Sequence, residues 1–301
     1  MSLSPGPAPY SYKLVEEGGV DKFNKLGLES WPDLAVSKYE VYVENVKKPV
    51  AIAHLVKNGE KPPVLLDWES LTSELLTSVD SKSSELVTLV TAIKKYAPKD
   101  AVILSWWDIS RQIGLLTGRD TLFPSHHGEP VIIPSHWRER SDAIRNYEEE
   151  FWGAPAPAEE RRKLQRFADA LVADVEKGAG ILRELAGSRE AYVVLHVSDL
   201  YKLGLMRPKS LDLAYKDFPM NSANMHGLVN TVKRFTVENN YKTYTLQSLS
   251  DRAVRGYFLS TGQDTLLAQM LPFTETRPLE LTSIQLIYQH GGYWVYKIPT
   301  T

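Results

Sequence analysis

The chain contains no cysteine, and that absence removes disulfides, thiolate metal sites, cysteine nucleophiles and covalent c-type haem attachment together. Electron transfer would need a non-covalently held group, and no cofactor is expected. A chain without cysteine fits a reducing compartment and equally an oxidising one in which stray thiols are avoided. No apolar run approaches the roughly 20 residues that span a bilayer, and the first residues lack the basic start and apolar core of a signal peptide. Charge of one sign is missing as well. The 35 basic and 37 acidic side chains leave a formal charge of -2, which gives no footprint for nucleic acid or for an anionic membrane. Gly-Xaa-Ser-Xaa-Gly and His-Glu-Xaa-Xaa-His motifs are absent. Gly178 and Gly180 lie in helical sequence with no preceding strand, so they do not read as a nucleotide loop.

What is present is the balance of a folded protein: 43% apolar and 24% charged residues in a chain of 301, enough for one large domain or two ordinary ones. Residues 1–12 read as a linker or vector-derived start, proline-rich through Pro9, joined where a longer, anchored protein has been trimmed. Residues 13–301 are expected to form a single α/β domain, with a β-rich part over 13–78 and an α/β core over 79–301. Alternation in Tyr39 to Val46 and the apolar stretch Val50 to Val56 predict a hairpin, followed by a short strand at Val64 to Trp68. Helical spacing from Asp80, with Asp80 or Ser83 as cap, ends at Pro98. Ala101 to Ser105 reads as a buried strand and Ile109 to Leu116 as a helix closed by Gly118.

Residues 119–137 look like loop. Helices are then expected over Glu139 to Trp152 and Glu159 to Leu185, the second weakened by Gly178 and Gly180. The continuous apolar run Ala191 to Val197 suits a strand covered on both faces, with a Ser198-capped helix after it. A helix over Met220 to Glu238, strands at Tyr241 to Gln247 and Val254 to Ser260, and a hairpin across Gly291-Gly292 complete the pattern. Alternating helices and apolar strands predict an α/β fold in three layers, a mixed sheet covered by helices, with extra N-terminal strands.

The most unusual stretch is Trp106-Trp107-Asp108. Side chains alternate along a strand, so the two indoles are expected on opposite faces, with the carboxylate where the chain leaves the sheet. In one reading the indoles are packing and Asp108 caps the helix beginning at Ile109. In the other, Trp106, Trp107, Asp108 and Arg111 line a recognition pocket for a hydroxyl or a cation. His126, His127 and His136, with Glu129 nearby, form the histidine cluster. A metal needs nitrogen or carboxylate ligands converging at about 2.0 to 2.2 Å, and this loop spacing permits that without specifying it; structural histidines are the plainer reading. Arg161, Arg162 and Lys163 read as a solvated helix face. His196, ending an apolar strand, reads as a core residue.

Val102 to Phe123, with Trp106-Trp107-Asp108 at its centre, resembles the Trp-Trp-Asp region in the soluble domain of oligosaccharyltransferase catalytic subunits. That resemblance implies that Trp106, Trp107 and Asp108 grip a serine or threonine hydroxyl of a peptide. Ile109 and Ser110 stand where that family has Tyr-Gly, and the membrane half carrying its catalytic acids is missing, so transferase activity is not implied. Over a longer span, Trp106 to Arg119 and His196-Val-Ser-Asp-Leu-Tyr201 resemble the hydroxylamine oxidation protein B family, encoded beside the multihaem hydroxylamine oxidoreductase. This implies a periplasmic accessory protein, anchored through an N-terminal membrane segment absent here and partnered by hydroxylamine oxidoreductase or another periplasmic protein. No enzymatic activity is expected. A peptide- or glycan-binding module using Trp106 to Asp108 is the alternative, and a metal-dependent hydrolase on His126, His127 and His136 a third.

Overall fold

A computed structural model of the chain describes residues 7–220 and 225–300. It divides into two compact units. The first comprises residues 1–94, 107–118 and 123–157; the second comprises 95–106, 119–122 and 158–301. The chain leaves the second unit after Trp106 and returns to it at Arg119.

The first unit is built on an antiparallel sheet of β1 (Tyr10–Gly19), β2 (Ala35–Val43), β3 (Ala51–Lys57) and β4 (Val64–Ser70), in that order. The expected hairpin is β2 and β3, paired from Ala35↔Lys57 to Val41↔Ala51. Strand β1 was not foreseen. It begins at Tyr10, inside the stretch read as linker, and pairs with β2 from Tyr10↔Val43 onward, with a bulge between Leu14 and Glu16. Its sequence hid it because β1 is an edge strand with most side chains exposed, so the only inward signals are its two tyrosines. Helices α1 (Ser83–Tyr96), α2 (Trp107–Thr117) and α3 (Ser141–Trp152) follow. Helix α3 is led in by a 3-10 turn at Ser135–Arg140, so the expected start at Glu139 falls in that turn. One face of the sheet packs with α3: Tyr10, Val41, Ala53, Leu55 and Trp68 share a core with Trp137, Ile144 and Trp152.

The second unit holds two sheets. The larger runs β11 (Gln285–His290), β12 (Tyr293–Ile298), β7 (Ala191–His196), β5 (Val102–Ser105) and β6 (Asp120–Thr121). It is mixed: β7, β5 and β6 are mutually parallel, and β12 is antiparallel to β7. Every residue of β5 and β7 is buried, as continuous apolar runs require in the middle of a covered sheet. The terminal hairpin turns at Gly291, whose φ is +55°.

The smaller sheet places β10 (Ala253–Thr261) between β8 (Asp212–Pro219) and β9 (Thr243–Ser248), all antiparallel. Helix α7 (Met225–Glu238) packs Leu228 and Val232 against Phe218, Val254 and Phe258. The expected helix from Met220 starts later: Phe218 and Pro219 are still strand, and 221–224 lie outside the described residues. Strand β8 was not anticipated.

The long helix expected over Glu159 to Leu185 is two helices, α4 (Ala158–Val172) and α5 (Val175–Ala186). The break is not at the glycines. It is at Asp174, whose carboxylate accepts the Lys177 N–H at 3.0 Å and caps α5, as aspartate does at helix starts. Gly178 is needed for proximity instead: a Cβ there would lie 2.5 Å from the Ala170 carbonyl oxygen. The mixed α/β class, the mixed sheet and the extra N-terminal strands agree with the sequence reading.

Candidate functional site

The Trp106-Trp107-Asp108 segment is where strand gives way to helix, and the transition is sharper than alternation predicts. Strand β5 ends at Ser105 and α2 begins at Trp107, so the period-two rule does not extend to the second indole. Trp106 belongs to the second unit; Trp107 and Asp108 belong to the first. Asp108 does not precede the helix but sits in its first turn, where Oδ1 accepts the Ile109 N–H at 2.7 Å. Its negative charge suits the positive end of the helix dipole.

Trp107 is half-buried and donates its indole N–H to the Glu129 carbonyl. The His126 ring lies edge-on to it at 4.4 Å and stacks on Trp152 at 5.3 Å, 9° from parallel. His126 is buried, and its pKa is pushed down to about 3 by that burial first, then by the Arg111 guanidinium and by His127. Arg111 is itself buried and donates Nη2 to the Pro63 carbonyl at 2.7 Å, while Gln112 donates to the Leu65 carbonyl at 2.8 Å. Arg111 thus ties α2 to the start of β4.

His127 lies 6.3 Å from the Trp107 ring and 5.7 Å from Phe123. His136 is exposed, 4.0 Å from Glu74. The three histidines have separate surroundings, and among the described residues no three His, Asp or Glu side chains form a group that could hold a metal ion.

Beyond Trp152 lies a group that the sequence did not suggest. Glu148 is buried at 4% exposure and accepts three hydrogen bonds: from the Tyr10 hydroxyl, from the Tyr12 hydroxyl at 2.7 Å, and from the Trp152 indole N–H at 2.7 Å. Burial pushes its pKa above the ordinary carboxylate value, and the three donors pull it part of the way back. Burial likewise raises both tyrosine pKa values, with the Glu148 charge adding to the effect. Glu148 is the first of three consecutive glutamates, and that run reads as a solvated helix face. The one signal that could have singled it out is its spacing of four from Trp152 on a helix that also presents Ile144.

In the second unit, polar groups gather beyond the carboxyl ends of the parallel strands β5 and β7, the position where α/β sheets place their sites. The N–H of His196 is accepted by Asp199 Oδ2 at 2.8 Å, and His196 Nδ1 lies 2.6 Å from Ser198 Oγ. Helix α6 (Asp199–Met206) then brings Lys202 Nζ to 3.0 Å from Asp199 Oδ1. Both charges are buried, at 0% and 6% exposure. The same Nζ lies 6.0 Å from the centre of the Trp106 ring, which also meets Phe167. Tyr293 lies 4.6 Å from the His196 ring. His196 is buried and paired, as its strand-end position suggested; the Asp199–Lys202 pair was not foreseen, although an acidic residue directly after an apolar strand was its available signal.

The family model described as HaoA-associated protein HaoB matches residues 1–298. No curated protein matches the chain. Among solved structures, the chain is similar to the C-terminal domain of C. jejuni PglB, at 12% identity over 70% of this chain and 98% of that one, with a TM-score of 0.40. It is also similar to the C-terminal globular domain of oligosaccharyltransferase from Archaeoglobus fulgidus, at 12% identity over 71% and 95%, with a TM-score of 0.33.

Proposed function

The chain belongs to the HaoA-associated HaoB family, and on that premise we propose that it is a non-enzymatic accessory protein of HaoA, the hydroxylamine oxidoreductase, acting by association rather than by turnover. The observation that carries this reading is the family match over 298 consecutive residues, 1–298. The side-chain chemistry supports the non-enzymatic part. Arg111 is committed to the Pro63 carbonyl, His126 is packed between two indoles, and Asp199 holds Lys202. These are the arrangements of groups that hold a fold together; a general acid or base must instead reach a substrate proton.

The protein works in the periplasm beside its partner. Among the described residues no helix is long and apolar enough to cross a membrane. The test is a deletion strain assayed for HaoA level and hydroxylamine oxidation, with the purified chain assayed alone. Reduced HaoA function together with no turnover by the isolated chain is the expected result. Hydroxylamine oxidation by the chain alone, or unchanged HaoA level and activity in the deletion strain, overturns the reading.

A further inference from the structure

The first unit contains a series of packed aromatic rings in which tryptophans and tyrosines are the oxidisable members and His126 bridges two of them. From Trp107 the series passes through His126 to Trp152, at 4.4 and 5.3 Å between ring centres. Tyr12 follows at 6.1 Å, and Tyr10 lies 5.7 Å beyond it. Tyr147 is 5.8 Å from Tyr12 and 5.5 Å from Tyr10, and Trp137 stacks on Tyr10 at 5.6 Å. Rings this close are near van der Waals contact, and because tunnelling falls steeply with distance, an electron vacancy crosses such gaps readily.

Aromatic packing alone does not explain Glu148. Burying a carboxylate is costly, and a core of this kind is filled more cheaply by phenylalanine and leucine than by two phenols and an anion. What the carboxylate adds is a proton acceptor in direct contact with both hydroxyls. A phenol is hard to oxidise if its proton has nowhere to go, since the radical cation is a very strong acid. It is far easier to oxidise when a base already holds the hydrogen bond.

We propose that Tyr10, Tyr12 and Glu148 form a redox-active centre that accepts one-electron oxidising equivalents entering at the half-buried Trp107. The electron removed from Tyr12 or Tyr10 passes by way of Trp152 and Trp107 to a one-electron outer-sphere oxidant of the metal-complex class. The phenolic proton moves to Glu148, leaving a neutral tyrosyl radical and a neutral carboxylic acid beside the reduced metal complex; back-transfer of one electron from that reduced complex returns the electron to the ring and the proton from Glu148 to the phenolic oxygen. Burial favours this outcome over loss of the proton to water, because both products are uncharged. The reading stands apart from the association with HaoA: it concerns what the cluster does when any such oxidant approaches.

The test is photo-oxidation of the full chain by a ruthenium(III) polypyridyl complex generated in a laser flash, with the tyrosyl radical followed by transient absorption and by electron paramagnetic resonance. The chain has 15 tyrosines, so assignment rests on variants. A long-lived tyrosyl radical is expected in the parent protein, slowed in heavy water, lost in the Tyr10→Phe/Tyr12→Phe double variant and slowed in Glu148→Gln. Trp107→Phe, which leaves the tyrosines and their carboxylate in place, is expected to slow radical formation and keeps the proposal falsifiable should the double variant fold poorly. An undiminished radical in the double variant, or a rate unchanged by Trp107→Phe, overturns it.

Discussion

Asp199 and Lys202, three residues apart at the start of α6, form an ion pair of 3.0 Å with both side chains almost fully removed from solvent. The same aspartate accepts the main-chain N–H of His196 at the end of β7, so one carboxylate joins the sheet to the helix that follows. Removing one member of a buried pair strands the other charge. Lys202→Ala is expected to lower stability by about 3 to 5 kcal/mol, measured by urea denaturation. A loss of no more than about 1 kcal/mol, the range of exposed pairs, would show that the pair is solvated.

Gly178 and Gly180 lie in the same helix and are expected to respond to alanine with opposite signs. At Gly180 a Cβ meets nothing within 4 Å, so the helix propensity of alanine should stabilise by about 0.5 to 1 kcal/mol. At Gly178 it would lie 2.5 Å from the Ala170 carbonyl and 2.7 Å from Leu266 Cδ2, and the overpacking should destabilise by about 1 to 3 kcal/mol. Thermal melts of the two variants decide this, and equal shifts would refute the α4–α5 packing.

These glycines also show where the sequence stopped being legible. Helical spacing identified the segment, and the apolar runs of β5 and β7 and the Gly291-Gly292 turn identified the sheet, because each is a local pattern with one structural meaning. Gly178 looked like a helix weakness, since the carbonyl it must approach belongs to Ala170, across the break at Asp174. Glu148 was hidden in the same way. Its neighbours Glu149 and Glu150 are exposed, and only β1, some 136 to 138 residues earlier, supplies the hydroxyls that make burial tolerable. The motif that stood out most, Trp106-Trp107-Asp108, proved to be split between two compact units.

Acid should destabilise the protein through His126. Its folded pKa of about 3 lies below the unfolded value of about 6.5, so the unfolded state binds the proton first. Stability is then expected to fall as pH drops through that window, by up to about 1.4 kcal/mol per pH unit. Glu148 acts with the opposite sign: its raised pKa makes the folded state hold a proton that the unfolded state releases, so its contribution declines as pH rises above the ordinary carboxylate value. Denaturation midpoints of the parent and of His126→Phe across pH 4 to 7 test this. The variant should lose the slope between pH 6.5 and 5, and a retained slope would assign it elsewhere.

Replacing Glu148 by leucine should cost about 3 kcal/mol or more, because it leaves the Tyr10 and Tyr12 hydroxyls and the Trp152 N–H without their acceptor. Glu148→Gln keeps an acceptor oxygen and should cost clearly less. Urea midpoints for the two variants measure the difference, and equal losses would mean that the side chain contributes volume alone.

The most direct test of the accessory role is a binding titration between the purified chain and purified HaoA from the same organism, read by light scattering after size-exclusion chromatography. A complex of defined stoichiometry whose formation saturates is the predicted result. Separate elution of the two proteins across the whole titration would contradict association with HaoA.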